Sequence, residues 1–186
     1  MDSDSEQMLM HLLSKDVLKQ NLAKAGLYAL AYELLKNSII EKPKGFFTMG
    51  GLGTNDEYKT EILSKHANVL IASCRWLQEN GALTEDEIAE VLQFREYRNY
   101  IAHELPNVLL EPTLQVNEEK LLRLFQLLSK IDRWWITEVE IPTNPDFDGQ
   151  DVRPSEVRSG SMEFVSYLIR VVYDLDHVTP NPQRSN

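Results

Sequence analysis

The chain has 186 residues, 42% hydrophobic and 26% charged, with one cysteine and a formal net charge of −10. That length and apolar content fit one globular domain with a real core. The acidic balance argues against non-specific duplex binding, which needs a basic surface, and leaves Arg75, Arg95 and Arg98 as the cations available for a local RNA site.

Cys74 stands alone among apolar helical neighbours and reads as a small core residue, so no intramolecular disulfide is possible and a reducing compartment is expected. The acidic start, Met1 to Glu6, lacks the layout of a signal peptide, and no apolar run approaches the roughly 20 residues of a membrane span. The expectation is a cytoplasmic protein without membrane contact.

Taken in order, the periodicity predicts a first helix over about 6–40, with Ser14-Lys15-Asp16 as a point where it can break, Leu27, Leu30, Ala31, Leu34 and Leu35 on one stripe and Pro43 as its end. The segment 44–55, with Gly45, Gly50, Gly51 and Gly53, reads as a loop that Phe46 and Phe47 tuck onto the core; it lacks the Gly-Lys-Ser/Thr ending of a phosphate-binding loop. A second helix is expected over 56–79, with the stripe Ile62, Val69, Leu70, Cys74 and Leu77, ended by Asn80-Gly81.

Thr84 followed three residues later by Glu87 is a capping box, and it opens a third helix. An irregular stretch over 107–116 leads to a fourth helix over 117–139, striped by Leu121, Leu124, Leu128, Ile131 and Trp135. Trp134 and Trp135 cannot face the same way, which leaves one for solvent or a partner subunit. A polar loop follows over 141–160. Its Asp146 to Asp151 segment lacks the spacing and final glutamate of a calcium loop. A strongly apolar last helix is expected over 161–175. The reading is an all-α protein, an antiparallel bundle of four to five helices, with residues 1–176 as one domain and 177–186 as a disordered tail.

Chemistry concentrates near the end of the third helix, in Arg98-Asn99-Tyr100-Ile101-Ala102-His103. A histidine moves protons near neutral pH, and an arginine binds phosphate and stabilises its growing charge. At about 100° per residue, Asn99 and His103 stack about 40° apart, whereas Arg98 and His103 diverge by about 140°. Arg98 falls within the face formed by Ile88, Val91, Phe94, Ile101 and Leu105. Convergence of Arg98 with His103 therefore requires the arginine to reach round, or the helix to loosen, as Pro106 encourages. His11, His66 and His177 lack metal-ligand spacing, no metal site is expected, and no histidine adjoins Cys74 to suggest a thiol nucleophile.

The Arg-x-x-x-x-His pattern in an all-helical chain resembles the HEPN superfamily. The specific part of the resemblance is six residues long, and the helical architecture extends it over about 16–175. The segments Ala31 to Lys36 and Phe46-Phe47 are also similar to prokaryotic members. The resemblance implies a metal-independent endoribonuclease without a cofactor. Two copies would pair so that both motifs face one cleft. It implies Arg98 as the phosphate ligand, Asn99 as the residue orienting histidine or phosphate, and His103 as acid or base. It further implies RNA as substrate, a toxin-antitoxin or phage-defence setting, and an antitoxin or other regulatory protein as partner. One position departs from the pattern. Toxins of this family that are silenced by nucleotidyltransferases often carry a modifiable tyrosine two residues beyond the histidine, and this chain has Leu105 there. Two alternatives stand beside the nuclease: a non-catalytic HEPN-like module binding RNA, nucleotide or protein, and a helical dimerisation protein in which Arg98 merely pairs with a carboxylate.

Overall fold

The computed structural model describes residues 14–48, 54–111, 114–150, 152–153 and 156–173. The expected helix start at Glu6, the glycines Gly50, Gly51 and Gly53, Asp151, and the tail 177–186 lie outside them. Among the described residues every regular element is helical and no strand occurs. The elements are α1 (Lys15–Thr48), α2 (Asn55–Glu61), α3 (Val69–Glu79), α4 (Glu85–His103), α5 (Leu105–Leu110), α6 (Glu118–Trp135) and α7 (Gly160–Val172). None of the described helices is long and apolar enough to cross a membrane.

The axis of the fold is α1, which packs against α2 through α7 in turn. Its buried residues spread beyond one narrow stripe: Leu27, Ala31 and Ser38 lie to one side of the row Tyr28, Tyr32, Leu35 and Ile39, and Phe47 to the other. This is what a helix surrounded by others requires. The α6 stripe holds as expected, with Leu121, Leu124, Leu128, Ile131 and Trp135 all buried.

Pro43 does not end α1. The helix runs through it to Thr48, so Phe46 and Phe47 enter the core from a helix and not from a loop. An interior proline costs about 3 kcal/mol. Phe47 is buried, with its ring against Trp76 at 5.9 Å and Tyr58 at 6.4 Å, and Phe46 lies 6.5 Å from Trp135. Burying one such side chain gains about 1.5–3 kcal/mol. Phe47, with the partly buried Phe46 beside it, offsets much of the proline's cost.

The single helix expected over 56–79 is two helices. After Ile62 the chain makes a tight turn over Leu63–Lys65, extends at His66, and restarts under the Asn68 cap, whose side chain accepts from the amides of Leu70 and Ile71. His66 Nδ1 accepts from the Asn68 amide at 2.9 Å, fixing the joint. These local side-chain bonds outcompete helix continuation. The break shifts the phase, so Val69, placed on the core stripe by periodicity, is 42% exposed.

Two smaller corrections concern how far helices extend. Leu105–Leu110 is helical, within reach of the stretch read as irregular. The fourth helix continues as a wider turn over Ile136–Glu140 and a last turn over Ile141–Thr143. Trp134 finds its neighbour inside the chain, edge-on to Trp76 at 6.3 Å, while Trp135 stacks on Trp76 at 6.1 Å.

A buried carboxylate ties three elements together. Asp132 on α6 accepts from Ser38 Oγ of α1 at 2.6 Å and from Ser159 Oγ at 2.6 Å, and it pairs with Lys42 at 3.2 Å. Ser159 is the N-cap of α7, where its oxygen also accepts from the Met162 amide. Each oxygen of this fully buried anion is thereby satisfied, the condition under which burying a charge is tolerable.

Candidate functional site

The motif helix begins as its sequence requires. Thr84 Oγ1 accepts from the Glu87 amide and the Glu87 carboxylate accepts from the Thr84 amide, closing the capping box. Glu87 also pairs with Lys130 at 2.6 Å, and Glu90 takes a bidentate bond from Arg123, so the outer edge of α4 is fastened to α6. Burial pushes the Glu87 carboxyl up, but its bonds from Lys130 and Thr84 outweigh that and hold it below the usual carboxylate range. The inner side of α4 faces α1, where Tyr28 and Tyr97 meet edge-on at 5.0 Å.

Between α1, the start of α3 and α4 lies an open cleft of about 580 Å³. Its charged lining consists of Glu33 and Lys36 from α1 and Arg95 and Arg98 from α4, with Asn68 and Asn99 as polar neighbours. The helical spacing explains the α4 contribution: positions 95, 98 and 99 are one turn apart and share a face. Three cations against one carboxylate make this a positive recess in a chain whose net charge is −10.

Arg98 is only half exposed. Its Nη2 donates to Glu33 Oε1 at 3.0 Å and its Nη1 reaches Asn99 Oδ1 at 3.4 Å, whereas the buried Nε has no partner. Glu33 is also paired with Lys36 at 2.9 Å. Arg95 is exposed and forms no ion pair among the described residues. Tyr32 sits in the cleft wall. Burial pushes its phenol above the ordinary range, the Arg95 and Arg98 charges oppose that, and Glu33 adds to it.

The structure therefore brings Arg98 and Asn99 together and adds Arg95 beside them. His103 does not line the cleft. It is exposed in the last turn of α4, one residue before the helix breaks at Glu104. The helix breaks at Glu104, at ψ 18°, and not at Leu105, where Pro106 was expected to loosen it; Leu105 opens α5 with Pro106 in its first turn, and the break does not bring His103 into the cleft. Arg75, the third cation singled out by sequence, lies elsewhere, donating to the Lys65 carbonyl at 2.7 Å. Cys74 is fully buried, and burial pushes its thiol up to about 12, which makes it an inert core residue.

The sequence reading missed Glu33, Lys36 and Asn68. Glu33 and Lys36 are three apart on α1, a visible pair, but nothing in one sequence aligns that pair with a residue 65 positions away. Asn68 was hidden because its helix start was read as helix interior.

Chemically, the recess can hold an anion, with guanidinium forks suited to the paired oxygens of phosphate or carboxylate. Comparison with protein-family models, with curated proteins and with solved structures returned no match for this chain.

Proposed function

We propose that the protein is a metal-independent endoribonuclease of HEPN type, acting as a homodimer built on an antiparallel helical bundle. The observation that carries this reading is the positive recess in an acidic molecule, centred on Arg98 and Asn99 of the Arg-x-x-x-x-His sequence. In the proposed reaction Arg98 and Asn99 hold the scissile phosphate. One His103 takes the proton from the RNA 2′-hydroxyl. The 2′-oxygen bonds to phosphorus and the bond to the 5′-oxygen breaks, with the second His103 of the dimer protonating that oxygen. The products are a 2′,3′-cyclic phosphate and a 5′-hydroxyl. Arg98 offsets the charge that grows on the phosphoryl oxygens.

Two observations favour the non-catalytic readings, the first the helical dimerisation protein and the second the binding module. Glu33 already holds Arg98, and His103 lies outside the cleft. The experiment that separates them is incubation of purified protein with end-labelled RNA in EDTA, beside Arg98→Ala and His103→Ala. The nuclease reading expects cleavage by wild type that persists in EDTA. It expects a fall of about 10²- to 10⁴-fold in each variant, with the helical circular-dichroism signal intact. Wild type that binds RNA and leaves it uncut establishes the binding module instead. Any antitoxin or other regulatory partner belongs to the nuclease reading and falls with it.

A further inference from the structure

We propose that the cleft reads a second phosphate of single-stranded RNA through Arg95 and Lys36, beside the one Arg98 takes, and that Glu33 is the internal anion the RNA must displace. This rests on the RNA-binding part of the function proposed above, not on cleavage.

The cleft holds cationic donors that its own carboxylate does not saturate. Arg98 spends Nη2 on Glu33 and Nη1 on Asn99, so the strongest fork in the cleft is already occupied by a carboxylate. Glu33 stands where a phosphate would stand: an anion 3.0 Å from the guanidinium and 2.9 Å from Lys36. These pairs are more than a third exposed, so water screens them and an incoming phosphate can replace the carboxylate at small cost. Arg95 lines the same recess, is exposed, and has no ion pair among the described residues. A single occupant with one negative charge leaves the recess short of two. Once Glu33 is displaced, Lys36 is released with Arg98, and three cations face the ligand. A polyanion with repeated phosphates answers that arrangement better than a lone carboxylate does.

Binding is tested apart from chemistry, using a short labelled oligoribonucleotide with 2′-O-methyl sugars, which has no free hydroxyl to attack phosphorus. Fluorescence anisotropy of the full chain is followed across a salt series. Arg95→Gln and Lys36→Gln are each expected to weaken binding, Arg95→Gln by about tenfold at low salt, and to shrink the log–log salt slope by about 0.7. Glu33→Gln is expected to tighten binding about two- to fivefold. Arg75→Gln, which removes a cation outside the cleft, is expected to leave the slope unchanged. Inorganic pyrophosphate is expected to compete with the oligonucleotide in wild type, and less well in Arg95→Gln.

The proposal is overturned if Arg75→Gln costs as much as Arg95→Gln, if Glu33→Gln weakens binding, or if neither wild type nor Glu33→Gln binds the oligonucleotide. Retained circular dichroism guards each comparison against misfolding. If this pattern holds and no RNA is cut in the cleavage assay, the two-phosphate cleft stands and the nuclease falls. If RNA is cut while Arg95 and Glu33 have no effect on binding, the reverse is true.

Discussion

Glu87 shows how one side chain sets the acid response of the motif helix. Its carboxyl is held below the usual range in the folded protein, mainly because bonds from Lys130 and Thr84 outweigh the cost of burial. The unfolded state therefore binds a proton at higher pH than the folded state does. The stability it contributes is complete above the ordinary carboxylate pKa of about 4.3 and is lost as pH falls through the lower folded value. Glu87→Gln should lower stability by about 1 kcal/mol at neutral pH, allowing for its half-exposed cationic partners, and should flatten the acid limb of the stability curve. Urea titrations between neutral pH and pH about 3 would check both; an unchanged acid limb would contradict the assignment. Cys74 gives a second prediction at this scale. With its thiol buried and raised to about 12, it should resist iodoacetamide in the native protein and react on unfolding. Mass spectrometry of alkylated protein reads the difference.

At the scale of the element, Thr84→Ala removes the acceptor for the Glu87 amide at the start of α4. It should cost about 1 kcal/mol, read as a lower denaturation midpoint with unchanged slope. This capping box was legible in the sequence, as was the α6 stripe, because both signals are local and strong. Pro43 misled because distant neighbours decided the outcome, and Asn68 because a local signal was masked. Pro43 signals a helix end, yet Trp76 and Trp135, far along the chain, hold Phe46 and Phe47 in place beyond it. Asn68 is a good cap residue, but the apolar periodicity on both sides of it was continuous enough to hide a break. The same distinction applies to the cleft. Arg95, Arg98 and Asn99 lie on one helix and could be read together, whereas Glu33 and Lys36 reach them only through the packing of α1 on α4.

For the whole molecule, the proposed nuclease requires two copies. Light scattering at tens of micromolar should return twice the chain mass of 21.5 kDa, and a clean monomer would remove the shared cleft from the mechanism. The central carboxylate gives a second test. Asp132→Ala leaves Ser38, Lys42 and Ser159 without their acceptor and should destabilise the protein by about 3 kcal/mol, visible in thermal unfolding.

That same carboxylate has a consequence for the order in which parts of the molecule let go. Helix α7 buries only Val165 fully, leaves Phe164 and Tyr167 at least half exposed, and is joined to Asp132 through Ser159 at its first turn. Ser38 and Asp132, by contrast, lie on α1 and α6, which carry most of the core. An opening that separates Ser159 from Asp132 can therefore release α7 while the remainder stays assembled. Amide hydrogen exchange should find α7 exchanging as a unit at a free energy well below that of α1 and α6, and Ser159→Ala should accelerate α7 without touching the amides of α1. The polar contact that completes the core is, on this reading, also the hinge at which the molecule first comes apart.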